Sequence, residues 1–177
     1  DYDKARDKVG EEIRQQKKLS PEEWKNYFGF DPEQARKLLT DAGFPVQKNG
    51  DGYSCPSFPT DTVSLSINTN ENNRIIAEFV QVQWKRNLGI TIPIQVQEFK
   101  TFQDVINNVK YVGIAQSIWS GDYTDPLTFL TLHAAKQNNG AAGFYDPKYD
   151  KMLDDANAEL DTEKRYEMLA RAEYYVM

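Results

Sequence analysis

The sequence has few of the side chains from which metal centres and hydrolytic active sites are built. Its 177 residues include one cysteine, Cys55, and one histidine, His133. A single cysteine excludes an internal disulfide and a zinc site made of cysteines, because each needs more than one thiol. A single histidine leaves little room for a Ser-His-Asp triad or a multi-histidine metal centre. From these absences we predict a protein without catalytic residues, a metal site or a cofactor.

Long apolar runs and an excess of basic residues are also absent. No apolar stretch approaches the ~18 residues of a membrane-spanning helix. Lys and Arg number 21 against 27 Asp and Glu, so the formal net charge is −6. Sequence-independent binding of nucleic acid depends on a stripe of basic side chains, and the sequence has none. A membrane-spanning protein and a nucleic-acid partner are therefore not expected.

What is present is ordinary globular composition with alternating strand and helix patterns. The chain is 40% hydrophobic and 27% charged, which is too apolar for a disordered protein. Apolar and polar residues alternate over 63–67, 92–96 and 112–118, which predicts three strands, the first of them half-buried. Helical periodicity separates them at 71–88, where Ile75, Phe79 and Val82 form one apolar stripe, and at 102–106. We therefore predict βαβ crossovers and a sheet with parallel pairs.

Helices are predicted on both sides of this region from their start signals. Ser20-Pro21 with Glu23 has the pattern of a capping box. Further Asp-initiated helices are predicted at Asp31-Pro32, Asp125-Pro126, Asp146-Pro147 and Asp161. The irregular stretches at 44–60 and 134–145 are predicted to be loops, the first with a small hairpin at Asn49-Gly50.

The segment that follows the third predicted strand is the best candidate for a ligand site. In open α/β sheets, ligands bind beyond the carboxyl ends of the strands. Asp122 has no evident local role, so its carboxylate either receives a ligand cation through a charged hydrogen bond or is a solvated loop acid. Trp119 is either part of the core or a flat wall of a binding cleft.

The other polar candidates have simpler interpretations. Asp125 precedes Pro126 at a helix start, which predicts an N-cap. His133 has no second metal ligand nearby, and Cys55 has no neighbouring base, so neither is expected to bind a metal or to act in catalysis. The acidic residues of 150–161 have the spacing of a solvated helix face and not that of a calcium-binding loop.

Four blocks of sequence occur together in a fixed order. They are Phe30 to Leu39 with Asp41 to Pro45; Asn68 to Asn72 with Trp84-Lys85 and Leu88 to Ile90; Trp119 to Tyr123 with Asp125-Pro126 and Phe129-Leu130; and Tyr145 to Asp150. Together they span about residues 29–177 and resemble the extracellular solute-binding proteins of the peptide/nickel class (family 5), which serve ATP-driven ABC importers.

The resemblance implies a two-lobed protein that closes over an oligopeptide or dipeptide. The implied fold is an α/β, periplasmic-binding-protein-like (type II) lobe, in which helices flank a mixed sheet of βαβ units. Residues 29–177 would be part of the second lobe, as a fragment truncated at both ends and without the first lobe. Residues 1–28 match none of the four blocks, and we interpret them as a helical N-terminal segment whose relation to the rest the resemblance does not assign.

The resemblance also implies which residues bind ligand. In peptide-binding members, the aspartate at the position of Asp122 receives the α-ammonium group of the peptide. Some members carry an arginine for the peptide carboxylate near the position of Gln116, so this sequence departs from them. The implied substrate-binding residues are Asp122, Trp119, Phe99, Gly121 and Ser120, of which Phe99 follows the Gln-Glu pair at the end of the second strand.

The implied function is the substrate-binding component of an ABC transporter that captures peptides for import. Its expected partners are the peptide ligand, the ABC permease subunits and the missing first lobe, and its expected location is periplasmic or extracellular and membrane-anchored. The alternative is a peptide-sensing receptor of the same fold that signals to a membrane partner. An enzyme is not expected, because no nucleophile is paired with a base.

Overall fold

The chain folds as two units whose stretches of sequence are interleaved. The structure is a computed structural model that describes residues 1–135 and 143–177. One unit, here called the helical unit, is formed by residues 1–28 together with 119–177. The other, the sheet unit, is formed by residues 29–118. The N-terminal segment 1–28 therefore shares a unit with the C-terminal helices.

The sheet unit contains a parallel three-stranded sheet and a separate hairpin. The first two helices of the chain, α1 (Tyr2–Gln16) and α2 (Pro21–Tyr27), belong to the helical unit. The elements of the sheet unit in chain order are α3 (Pro32–Asp41), β1 (Gln47–Asn49), β2 (Gly52–Ser54), β3 (Ser64–Asn68), α4 (Glu71–Leu88), β4 (Ile94–Gln97), α5 (Phe99–Asn107) and β5 (Gly113–Ala115). The strand order is β4-β3-β5, and β3 runs parallel to both neighbours. The predicted α/β class and the βαβ crossovers are confirmed, with α4 between β3 and β4 and α5 between β4 and β5.

The strand directions differ from the expected mixed sheet in one respect. Among the described residues, both pairs of the three-stranded sheet are parallel, and the antiparallel pair β1–β2 forms the hairpin predicted at Asn49-Gly50. Each strand of the larger sheet is joined to the next by a helix, which returns the chain to run in the same direction. The third strand is also shorter than the predicted 112–118, because its ladder includes only Gly113–Ala115.

The first strand of the sheet is buried on both faces, so the prediction of a half-buried strand is wrong. Ser64 and Ser66 are as buried as Leu65 and Ile67, with exposed fractions of 4% or less. The reason is that β3 is the central strand and that both α4 and α5 contact it. Serine is small enough for a helix to pack closely over it, so the polar positions of the pattern do not mark a solvated face.

Helix α4 buries a different face from its apolar stripe. Asn73 and Ala77 are buried, whereas Ile75, Phe79 and Val82 are each more than half exposed. Phe79 also lines an open cavity of about 580 Å³ between α3 and α4. The periodicity therefore predicted the helix correctly but not the face that it presents to the core.

The helical unit is a set of helices around a second core. Its elements are α1 (Tyr2–Gln16), α2 (Pro21–Tyr27), α6 (Leu127–Leu130) with a 3₁₀ turn (Thr131–His133), α7 (Pro147–Ala158) and α8 (Thr162–Val176). Helix α8 contacts both α1 and α7. Tyr149 is fully buried, and its hydroxyl donates a hydrogen bond of 2.8 Å to the carbonyl of Leu130. That bond joins α7 to α6 at the centre of the core.

The helix starts predicted at Ser20, Asp146 and Asp161 are confirmed in this unit, whereas at Asp125-Pro126 the N-cap is Pro126 and the helix begins at Leu127. Ser20 and Glu23 form the reciprocal capping box, and the carboxylates of Asp146 and Asp161 accept backbone N–H groups of α7 and α8. Of the loop predicted at 134–145, residues 136–142 lie outside the described residues. Among the helices that the structure describes, each is too short or too polar to span a bilayer.

Candidate ligand-binding site

The predicted ligand segment is an exposed loop in the helical unit. Residues 119–122, here called the binding loop, are all exposed, and the indole of Trp119 is 44% exposed. Trp119 is therefore not a core residue, which was one of its two interpretations. An exposed aromatic ring offers a flat apolar surface to a partner molecule.

The binding loop lies directly against α6. A Cβ atom added at Gly121 would come within 2.9 Å of Thr128 Cγ2 and 3.2 Å of Phe129 Cζ. The Asp122 backbone N–H donates a hydrogen bond of 3.1 Å to Thr128 Oγ1, and Thr128 is buried. Because Gly121 has no side chain, the loop can lie against α6, where the hydroxyl of Thr128 binds its backbone. The other side chains of the loop are exposed.

The Asp122 carboxylate is unengaged within the helical unit and elsewhere in residues 1–135 and 143–177. The structure gives it neither a hydrogen bond nor an ion pair with those residues, and the residue is exposed. A carboxylate on a fixed backbone with no internal partner can accept a cation without breaking an existing bond. This arrangement fits the ligand interpretation of Asp122 and is also compatible with a solvated loop acid.

Asp125 is not the N-cap that the sequence predicts, because Pro126 occupies that position and α6 begins at Leu127. Its Oδ1 accepts the backbone N–H of Leu127 at 2.9 Å. Its two carboxylate oxygens also accept hydrogen bonds from Nη1 and Nη2 of Arg165, on α8, at 2.7 and 2.9 Å. This two-point contact with the guanidinium, more than the N–H bond, holds the pKa of the Asp125 carboxyl below its usual value. The prediction that Asp125 is an N-cap is therefore wrong, and its carboxylate instead joins the start of α6 to α8.

Phe99 belongs to the other unit. It is the first residue of α5 in the sheet unit and is 55% exposed. The carboxylate of Glu98 caps α5 by accepting the backbone N–H of Lys100 at 2.9 Å. The Gln-Glu-aromatic sequence therefore fixes the start of a helix and leaves the aromatic ring accessible to solvent.

A set of side-chain amides at the carboxyl ends of the strands was not identified as a group from the sequence. The Gln116 amide nitrogen lies 3.3 Å from Asn73 Oδ1, and the Asn73 amide donates to Asn68 Oδ1 at 2.8 Å. The side-chain oxygens of Gln97 and Gln116 are buried and have no hydrogen-bond partner among the described residues. The available signal was an Asn or Gln at or just after the end of each strand.

The single cysteine and the single histidine of the sequence both lie outside the binding loop. Cys55 is buried, and its thiol donates to the carbonyl of Phe44 at 3.4 Å. His133 ends the 3₁₀ turn and lines an open cavity of about 600 Å³ in the helical unit. Within the residues that the structure describes, no cluster of three or more His, Cys, Asp or Glu side chains could hold a metal ion.

Comparison with known proteins assigns the chain to a family of extracellular solute-binding proteins. The model of the bacterial extracellular solute-binding proteins, family 5, middle region, matches residues 2–141. The chain belongs to this family, and the resemblance inferred from the sequence blocks is confirmed. The match includes residues 2–28, for which the sequence blocks gave no assignment.

Particular relatives are peptide-binding proteins. The chain is 37% identical over 126 residues to the periplasmic murein peptide-binding protein MppA of Escherichia coli strain K12, covering 71% of this chain and 21% of that protein. It is 33% identical over 141 residues to the periplasmic oligopeptide-binding protein OppA of Salmonella typhimurium, covering 80% of this chain and 24% of that protein.

Solved structures agree with these sequence matches. A periplasmic oligopeptide-binding protein (OppAIV) of Borrelia burgdorferi superposes with a TM-score of 0.71 at 38% identity, over 83% of this chain and 27% of that one. OppA of Haemophilus influenzae in complex with the peptide RPPGFSPFR gives a TM-score of 0.69 at 30% identity, over 82% of this chain and 26% of that one. The fold class is confirmed, and the chain spans about a fifth to a quarter of the length of these relatives.

Proposed function

We propose that the chain is part of the substrate-binding component of an ABC importer and that it captures peptides. The observation that carries the proposal is the Asp122 carboxylate, which is exposed and unengaged on a backbone held by Thr128. The names of the relatives support a peptide ligand, because MppA and OppA are described as peptide-binding proteins. In this role Asp122 receives the α-ammonium group of the peptide through a charged hydrogen bond.

The neighbouring residues complete the contact with the peptide. The exposed ring of Trp119 packs along the ligand, and Ser120 and Gly121 bring the backbone of the loop close to it. Phe99, on the sheet unit, has an exposed aromatic ring that can also contact ligand. Residues 29–177 act as part of the second lobe, and a first lobe covers the opposite face of the peptide. ABC permease subunits receive the loaded protein in the periplasm or at the outer face of the cell membrane.

Binding without cleavage is part of the proposal. A peptide mixture titrated calorimetrically into the complete protein should release or absorb heat, and mass spectrometry should find the same peptides intact afterwards. Peptide that co-purifies with the complete protein would identify its preferred length. A protein that gives no binding heat and carries no peptide, or that cleaves the peptides, would contradict the proposed function.

The 177 residues alone are expected to bind peptide with a Kd above about 1 μM. The binding loop is exposed, so a peptide seated on it keeps one face in water and lacks the polar contacts of the first lobe. Calorimetry on the isolated chain measures this directly, with the complete protein as the reference. A Kd of about 1 μM or tighter for the isolated chain would contradict this prediction and the contribution of the first lobe.

A further inference from the structure

We propose that Arg165 is a positioning residue, which holds the binding loop in place through Asp125 without contacting the ligand. The inference deepens the proposed function and rests on it. Arg165 lies on α8, and the binding loop comes more than forty residues earlier in the chain. The connection between them is a short series of hydrogen bonds within the helical unit.

The ion pair at the start of this series is well suited to fix a position. Both nitrogens of the guanidinium fork bind both oxygens of the carboxylate, at 2.7 and 2.9 Å. The side chains of Arg165 and Asp125 are only 19% and 22% exposed. A planar two-point contact fixes orientation as well as distance, and partial burial reduces screening by water and salt.

Asp125 passes this constraint to the amino end of α6. Its side chain accepts the N–H of Leu127 at 2.9 Å, and its carbonyl accepts the N–H of Thr128 at 3.2 Å. Asp125 is therefore held on one side by α8, and it holds the first turn of α6 on the other. The position of Thr128 is thus tied to α8.

Thr128 is the point of contact with the binding loop. Its Oγ1 accepts the backbone N–H of Asp122 at 3.1 Å, and its methyl group is one of the atoms closest to Gly121. Within the described part of the chain, this hydrogen bond is the one that residues 119–122 make, and the close approach of Gly121 to α6 is a second contact. Loss of the ion pair at Arg165 therefore frees α6 to shift and leaves the Asp122 carboxylate without a fixed position.

The test compares Arg165→Gln with Arg165→Lys and with the control Lys164→Gln. Lys164 is the preceding residue of α8, and its ion pair with Glu159 is remote from Asp125 in the bonding scheme. Arg165→Lys keeps the charge but loses the planar fork. We expect Arg165→Gln to lower peptide affinity by at least about 5- to 30-fold, which is the cost of ordering the backbone of one loop residue again when the peptide binds. Arg165→Lys should lose less, and Lys164→Gln should bind as the wild type does.

Two measurements on the ligand-free protein distinguish positioning from general destabilisation. In Arg165→Gln, the Asp122 amide should exchange with deuterium faster. A fluorine label on the indole of Trp119 should shift or broaden in the NMR spectrum, while the label on Trp84, in the sheet unit, should not change. Adding Asp125→Asn to Arg165→Gln should cost little more affinity, because both changes remove the same contact.

Each outcome bears on the proposal in one direction. Reduced affinity with unchanged Trp119 and Asp122 signals would overturn positioning, as would unchanged affinity with a loosened loop. If Arg165→Gln does not fold, the same comparison is made on Arg165→Lys, and an unaltered loop there would also overturn it. If the wild type itself binds no peptide, the proposed function fails, while the loop measurements still report whether Arg165 orders the loop.

Discussion

Replacing Asp122 by Asn in the complete protein is expected to lower its affinity for a free peptide by about 30- to 3000-fold. The substitution keeps the size of the side chain but removes the charge that pairs with the α-ammonium group. In the proposed complex, the first lobe covers the peptide and excludes water from this bond. Removing one partner of a charged pair in such surroundings costs roughly 2–5 kcal/mol. Because the Asp122 carboxylate has no internal partner among the described residues, the melting temperature should not change. Calorimetric titration and a thermal melt measure the two quantities.

Acetylated peptide provides the chemical control for this result. Acetylation removes the positive charge from the ligand, so it should weaken binding to the wild type about as much as Asp122→Asn does. It should cost the variant little more, because the pair is already broken. If Asp122→Asn binds free and acetylated peptides as the wild type does, Asp122 is a solvated loop acid and not the ammonium receptor.

The matched protein control is Asp61→Asn and not Asp125→Asn. Asp61 is exposed, shows no hydrogen bond or ion pair to the described residues, and precedes the amino end of β3. Its replacement removes the same charge outside the binding loop and should leave affinity unchanged. From the sequence, Asn at position 125 is expected to be nearly neutral, since Asn is also a good N-cap. The ion pair with Arg165 makes that expectation wrong, because Asn cannot accept both bonds of the guanidinium.

Replacing Gly89 by Ala is expected to destabilise the sheet unit by more than about 3 kcal/mol. Gly89 ends α4 with a φ of +71°, a left-handed conformation that costs an L-residue roughly 1–2 kcal/mol. The added Cβ would also lie 2.4 Å from Ser54 Cα and 2.4 Å from the carbonyl oxygen of Tyr53. Both are backbone atoms of β2, so the hairpin or the helix end has to move. Urea unfolding followed by circular dichroism measures the loss.

Gly43→Ala separates the two causes. Gly43 follows α3 with a φ of +90°, but a Cβ there would meet no atom within 4 Å. It should therefore lose only the conformational part, roughly 1–2 kcal/mol. The excess loss in Gly89→Ala measures the close approach of the end of α4 to β2. Equal losses in the two variants would show that this approach relaxes without cost.

The local signals of the sequence predicted the elements but not which faces they bury. Capping residues such as Ser20 and Asp146 act within a few positions of themselves, so the helix starts could be placed correctly. Burial depends on what packs from elsewhere in the chain. For that reason the serines of β3 are buried and Phe79 of α4 is exposed, although the periodicity suggested the opposite order.

In the candidate site, too, the sequence predicts features that depend on local residues and does not predict contacts with distant parts of the chain. Asp122 was selected because it lacks a local role, and the structure adds that its backbone is held by Thr128. Arg165 was not identified, because an arginine on a distant helix carries no sequence signal that names its partner. The role of Gly121 was likewise hidden, since the side chains that leave no room for a Cβ follow later in the chain.

The interleaving of the two units has a consequence for biosynthesis. The sheet unit is one continuous stretch, so all of its contacts are available soon after residue 118 leaves the ribosome. Helix α1, in contrast, packs on α8, and the hydroxyl of Tyr2 bonds Glu173, which is 171 residues later. At ~5–20 residues per second, α1 waits on the order of ten seconds or more for this partner. During that time the side chain of Val9, fully buried in the finished fold, is accessible to chaperones that recognise exposed apolar segments.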